Sequence, residues 1–261
     1  MASANNKVRY LRASVLDVAT LSVSSTTEGL PATNVQDQLI RKKYRTLGKN
    51  NEWLRFNGTL VTVDTVFIGG VNLTKNAVVR WQGNTTSNFT GCALNTLLHV
   101  ATDSLGSPLT QIVHCYLTAM NYPFWRLYVS DSGNASVNLE VGRIMAGVAT
   151  EPNRDMRDGF SIRTVDPSII RETAGRQGYA NVKAQYKEVT YGIGNVDEPQ
   201  IDELMGIYAS VGAHTSFVLL LDPVRRPHHN TIYTNFPAQI SQRHHVLRQY
   251  DLSEIAFQEK R

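Results

Sequence analysis

Between residues 19 and 147 the chain offers short apolar stretches, broken about every ten residues by Gly, Ser, Pro and Asn, with no stretch at helical spacing. Such a sequence has no helix face to bury. Its apolar residues leave water by lining antiparallel strands stacked into a sandwich or jelly roll. Residues 61–70 show this best: Val61, Val63, Thr65, Phe67 and Gly69 share one face, Val66 and Ile68 the other. Apolar character on both faces predicts a central strand. Residues 77–81, 97–100, 112–117 and 124–129 read as further strands, and Asp131-Ser132-Gly133-Asn134 as a turn. Val137, Leu139 and Val141 alternate as one more strand, which leads into Gly147.

The second half has a different texture. Residues 160–165 form a strand closed by Asp166-Pro167, and 175–179 a Gly-rich turn. Val182, Ala184 and Tyr186 have one parity, and Val189, Tyr191 and Ile193 the other, which predicts a bulge near Lys187-Glu188. A helix follows at about 198–211. Asp197 is its N-cap, Gln200 completes a capping box, and Gly212 is the C-cap. Ile201, Leu204, Met205, Tyr208 and Val211 repeat on its apolar side. Strands at 217–221, 232–240 and 250–257 finish the chain. The expected organisation is an N-terminal arm or first strand (1–18), a jelly roll (19–147), and a β domain with one packed helix (148–261).

Composition narrows the function classes. The chain is 42% apolar and 18% charged over 261 residues, which suits a folded protein with a real core. Residues 1–148 hold 13 Lys and Arg against 8 Asp and Glu, a net of +5; residues 149–261 hold 13 against 14, a net of −1. The one basic cluster, Arg41-Lys42-Lys43 with Arg45, is too short for the aromatic-interleaved stripe of a nucleic-acid binder. Cys92 and Cys115 read as buried free thiols. No leader is evident, and no run reaches the roughly 18 apolar residues of a membrane span. The sequence is therefore expected to be made in a cytoplasm and to stay soluble. The sequons at Asn57, Asn72, Asn84, Asn88 and Asn134 then mark only polar loops.

Chemistry is harder to find. His228-His229 and His244-His245 would form a metal site only if their loops met, and no Cys or carboxylate stands at a recognised metal spacing nearby. No nucleophile elbow, zinc-protease helix or phosphate loop occurs; Gly192-Ile193-Gly194 lacks the remaining glycine and lysine. Asp202-Glu203 belongs to the early turns of the helix. No catalytic residue, metal ligand or cofactor is expected. Sandwich modules often bind sugars through exposed aromatics and polar loop residues, which brings forward Trp53, Trp81 and Trp125. Trp125 sits in core-like sequence, whereas Trp81 is the least secure as core. Trp81, Arg41, Lys42, Lys43, Arg225, Arg226, His228 and His229 are the candidate ligand or partner surface.

The stretch from Ala19 through Ser22 and Ser25 to Gly29-Leu30-Pro31, then Asn34-Val35-Gln36-Asp37, Tyr44-Arg45-Thr46 and Val63 to Gly69, resembles discoidin-like or galactose-binding-like jelly rolls. That family's cysteine pairing is not evident here, and its sugar contacts lie in variable loops, so no residue role is carried over. The whole chain resembles tailed-phage virion proteins that join such a jelly roll to a tail-tube-like domain. Phe124 to Asp131, Leu139 to Gly147, Lys187 to Tyr191, Phe217 to Pro223 and Tyr250 to Glu259 carry this second resemblance.

The resemblance implies a distal tail or baseplate component of the virion. Subunits would continue one another's sheets into a homo-oligomeric, commonly hexameric ring, joined to the tail tube and other tail-tip proteins. DNA would pass through its channel without specific binding, which suits the slightly acidic second half. A carbohydrate-binding adhesin for host-surface glycans is the alternative, and a polysaccharide hydrolase the third reading.

Overall fold

The computed structural model describes residues 8–152, 156, 159–172, 178–244 and 250–260. It is mainly β, in sandwich-like sheets, with a single α-helix among the described residues. Met1 to Lys7 of the expected arm, most of the turn at 175–179, and His245 lie outside the described residues.

Strand β1 is Arg9–Leu11, β2 Thr20–Val23, β3 Tyr44–Arg45, β4 Glu52–Gly69, β5 Val78–Asn84, β6 Leu94–Leu98, β7 Gln111–Ser130, β8 Glu140–Val141 and β9 Arg143–Gly147. The main sheet runs antiparallel in the order β2-β4-β7-β5-β6, and β9 pairs with the far end of β4. There β4 lies between β7 and β9, so Val66, Phe67 and Ile68 are all buried, as both-face apolarity requires. The stretches at 112–117 and 124–129 are one strand. Although Leu117 is 97% exposed, Met120, Asn121 and Tyr122 keep pairing with Val63, Thr62 and Val61, which carries the ladder across the gap. Val137 is 73% exposed and outside any strand; of that expected strand only Glu140–Val141 pairs, with β3.

Phe56, Trp81 and Trp125 fill the centre of the sandwich. Trp81 stacks on Trp125 at 5.7 Å between centroids and meets Phe56 at 6.1 Å. Pairs of this kind contribute about 0.5–1.5 kcal/mol beyond the area they bury. Arg143, 2% exposed, donates from both terminal nitrogens to the Asp17 carboxylate at 2.7 and 2.6 Å, tying the entry turn to β9.

In the second half, β10 is Phe160–Val165, β11 Ile169–Glu172, β12 Gly178–Asn181, β13 Tyr186–Val196, α1 Glu198–Val211, β14 Phe217–Leu220, β15 Thr231–Thr234, β16 Gln242–His244 and β17 Tyr250–Gln258. One sheet has the order β10-β13-β17-β16. The helix forms where the caps place it. The Asp197 carboxylate accepts from the Gln200 N–H at 3.1 Å, Gln200 Oε1 accepts from the Asp197 N–H at 3.2 Å, and Gly212 ends the helix at φ +63°. Ile201, Leu204, Ile207 and Val211 pack on Val189, Tyr191, Phe217 and Phe257. The bulges of β13 fall between Tyr191 and Val196 and not at Lys187-Glu188, because Val182, 80% exposed, has no face to share with Val189. Strand β15 stops at Thr234, short of residue 240, and both cysteines are only half-buried.

The two halves are not consecutive. Arg9, Tyr10 and Leu11 pair with Leu220, Leu219 and Val218, so β1 completes the sheet β1-β14-β15 of the second half. Tyr10 and Thr150 exchange two backbone hydrogen bonds at 2.9 Å. The chain thus leaves the second body at Leu11, builds the sandwich, and returns at Thr150 beside its own exit. Leu11, Ile40, Phe67, Val113, Met145, Val218, Leu220 and Tyr233 form an apolar seam between the bodies.

Candidate functional site

Strand parity decides what the sandwich shows to its surroundings. Leu54, Phe56, Val79, Trp81, Trp125, Leu127 and Val129 point inward and are buried. Their neighbours in sequence therefore point outward. Register aligns those neighbours in rows: Trp53 opposite Tyr128, with Arg80 beside it, and Arg55 opposite Arg126, with Gln82 and Asn95 beyond. Trp53, Arg55, Arg80, Arg126 and Tyr128 are half-exposed, and Asn95 is exposed.

These side chains hold one another. The Arg55 guanidinium lies over the Trp53 ring at 5.6 Å from its centroid and donates to the Ser87 carbonyl at 2.9 Å. Arg126 lies over Phe89 at 4.4 Å and donates from Nε to Gln82 Oε1 at 2.7 Å. Gln82 Nε2 donates to Asn95 Oδ1 at 3.1 Å, and Arg80 Nη1 to the same oxygen at 3.4 Å. The Tyr128 hydroxyl donates to Asn51 Oδ1 at 2.5 Å. Partial burial lowers the Arg126 pKa; Cys92 and then Tyr128 oppose the shift, and Arg55 adds the smallest contribution, a further lowering. The result is a row of aromatic, guanidinium and amide side chains with fixed hydrogen-bonding groups, in which Gln82 and Phe89 are buried while Trp53, Tyr128 and the arginines are half-exposed.

The residues nominated from sequence fall elsewhere. Trp81 is fully buried, which corrects its place in the candidate surface: its parity on β5 is that of Val79, and of the opposite parity Arg80 is half-exposed while Gln82 is covered. Arg41 and Lys42 are exposed, and Lys42 pairs with Asp37 at 2.5 Å, holding that carboxyl below its usual range. Lys43 is half-buried and donates to the Gly70 carbonyl at 2.6 Å; burial lowers its pKa. Arg41 and Lys43 line a cavity of about 240 Å³ with Asn72, Gln111, Glu259 and Lys260, where the two bodies meet.

Arg225 and Arg226 are exposed at the tip of the 222–230 loop, with Arg226 in left-handed backbone at φ +53°. His228 is turned inward. Its Nδ1 accepts from the Val113 N–H at 3.1 Å, and burial, then nearby His229, His99 and His114, lower its pKa to about 4. Burial also lowers the pKa of His229. The basic cluster and the histidine loop therefore belong to the seam, and neither joins the outward face. Among the described residues no group of three His, Cys, Asp or Glu side chains is placed to hold a metal ion, and no helix is long and apolar enough to cross a membrane.

Sequence reasoning brought forward Trp53 but missed Arg55, Arg80, Arg126 and Tyr128. Alternation within 53–57 and 124–128 was available as a signal. The pairing of those two stretches was not, since it is set by register between segments some seventy residues apart.

No family model matches this chain, and no curated protein sequence matches it. Solved structures do. The family 32 carbohydrate-binding module of Clostridium perfringens NanJ, solved with galactose, is 11% identical at a TM-score of 0.40, covering 53% of this chain and 98% of that one. Chitosan-binding module 2 of a Paenibacillus chitosanase/glucanase, solved with chitotriose, is 15% identical at a TM-score of 0.37, covering 53% and 99%. The lectin domain of lectinolysin, solved with Lewis B antigen, is 14% identical at a TM-score of 0.39, covering 56% and 97%.

Proposed function

We propose that this chain is a non-catalytic carbohydrate-recognition protein whose sandwich reads a glycan with the outward face of β4, β7 and β5. One observation carries the reading: Trp53 and Tyr128 sit opposite each other, half-exposed, with the amide of Asn51 on the Tyr128 hydroxyl and that of Asn95 exposed further across the sheet. Sugar rings stack their C–H faces on aromatic side chains and satisfy their hydroxyls on amides placed around them. The inserted topology supports the same reading, because it mounts the sandwich on a second body as a head on a base. A glycan array probed with the full chain is the test. Binding of at least one glycan class is expected, weakened about tenfold or more in Trp53→Ala. An array without a hit at high protein concentration overturns the reading.

A second reading, a ring-building structural protein of a phage tail tip, is favoured by one specific feature. Among the described residues β11 and β12 pair with no strand but each other, and Ile169, Ile170, Tyr179 and the adjoining Val182 are exposed. A lone two-stranded ribbon is marginal in water and gains stability by lying on a neighbour. β10 and β16 are likewise the ends of their sheet order, where another copy's strand can continue the ladder. Sedimentation of the full chain as a monomer at every concentration counts against it.

A further inference from the structure

The outward face carries a charge pattern that sugar stacking alone does not require. Arg55 and Arg126 are directly paired across β4 and β7, and Arg80 lies one strand further on, diagonal to Arg126. Like charges set opposite each other on a sheet face are destabilising, so such a pair costs the fold stability and needs a reason. Around these arginines, at the end of the sheet where 53–57 pairs with 124–128, the alternating positions are Thr20, Ser22, Trp53, Arg55, Asn57, Val78, Arg80, Gln82, Asn84, Asn95, Leu97, Phe124, Arg126, Tyr128 and Ser130, with no Asp or Glu among them; the carboxylate of Asp64 lies further along β4 and accepts from the Ala149 N–H. Among the described residues the three guanidinium groups bond neutral oxygens alone, those of Ser87, Asn95 and Gln82.

We infer that this face takes an acidic glycan, one whose sugars bear carboxylate or sulfate groups; the inference rests on the carbohydrate reading above and names its substrate class. A guanidinium presents its N–H groups as a planar fork that matches carboxylate and sulfate oxygens two at a time. Arg55 and Arg126 already lie over Trp53 and Phe89 and are anchored from one side by Ser87 and Gln82. Their orientation is thus set before a ligand arrives, which lowers the entropy cost of binding. An anion lying between Arg55 and Arg126 also relieves their repulsion. The exposed amides of Asn51 and Asn95 flank the guanidinium groups, so groups for hydroxyls and for the acid lie on the same sheet.

The test uses matched polymers: dextran, carboxymethyl dextran and dextran sulfate, with a single-stranded oligothymidylate alongside, all titrated calorimetrically into the full chain. Carboxymethyl dextran or dextran sulfate is expected to bind at least tenfold more tightly than dextran, with affinity falling as salt is raised. Arg55→Gln and Arg126→Gln are each expected to weaken that binding about tenfold. Arg41→Gln, with the same change in net charge but on another surface, leaves it unchanged. Each face variant keeps the melting temperature to within a few degrees, since relief of the like-charge pair offsets the bond lost to Ser87 or Gln82. Equal loss in Arg41→Gln reduces the effect to net charge and overturns the inference. Glycan-array hits confined to neutral glycans overturn the inference while the carbohydrate reading stands. Tighter binding of oligothymidylate than of any glycan, lost in the face variants, overturns both.

Discussion

At the scale of the residue, parity and partner decide role more than residue type does. Trp81 and Trp53 are both strand tryptophans, yet one is core and the other surface, because Trp81 shares the parity of Val79 while Trp53 alternates with Leu54. His228, a candidate for the ligand or partner surface by sequence, is instead a clamp, since its Nδ1 takes the Val113 N–H. Only the neutral imidazole can accept that bond. The folded pKa of about 4 lies below the ordinary 6.5. As pH falls from 6.5 toward 4, the unfolded chain therefore gains a proton that the folded one refuses. Stability present above pH 6.5 is lost across that window, by about 2 kcal/mol once the partial exposure of His228 is allowed for. The melting temperature is expected to drop between pH 7 and pH 4.5, and to drop less in His228→Asn, whose side-chain oxygen keeps an acceptor there. An identical drop in both proteins would remove His228 as the cause.

Among the elements, legibility follows how local the determining interactions are. The helix was readable to the residue because Asp197, Gln200 and Gly212 act within one turn of its ends. Strand β10 was readable too, from Phe160 to the Asp166-Pro167 stop. Strands whose course depends on a distant partner were not: β7 continues through the exposed Leu117 only because β4 runs alongside. The arginine face needed three registers at once and so stayed hidden. Hairpin β11–β12 is the opposite case, an element held by little beyond itself. If it rests on a second copy of the chain, Ile170→Lys is expected to shift self-association to at least tenfold higher concentration while leaving the melting temperature of the monomer unchanged. Sedimentation velocity reads the first and calorimetry the second. Unaltered self-association in the variant would place the contact elsewhere.

For the whole molecule, the decisive fact is that the sandwich is an excursion from the second body, closed where Tyr10 meets Thr150. No reading of consecutive segments finds this, since β1 is three residues long and its partners lie some two hundred residues away. The same arrangement gives the two bodies a common fate. They share the seam in which Tyr233 stacks on Phe67 at 5.8 Å and donates its hydroxyl to the Gln38 carbonyl at 2.8 Å. An apolar seam of this kind couples unfolding, so one calorimetric transition is expected for the native chain. Tyr233→Ala removes a fully buried ring and is expected to cost about 3–5 kcal/mol. It should also split the single transition into two, because each body keeps its own core. Tyr233→Phe loses only the hydroxyl bond, about 1 kcal/mol, and should leave a single transition. Two transitions already present in the native chain would mean that the seam does not couple the bodies, and the sandwich would then be a head free to move on its base.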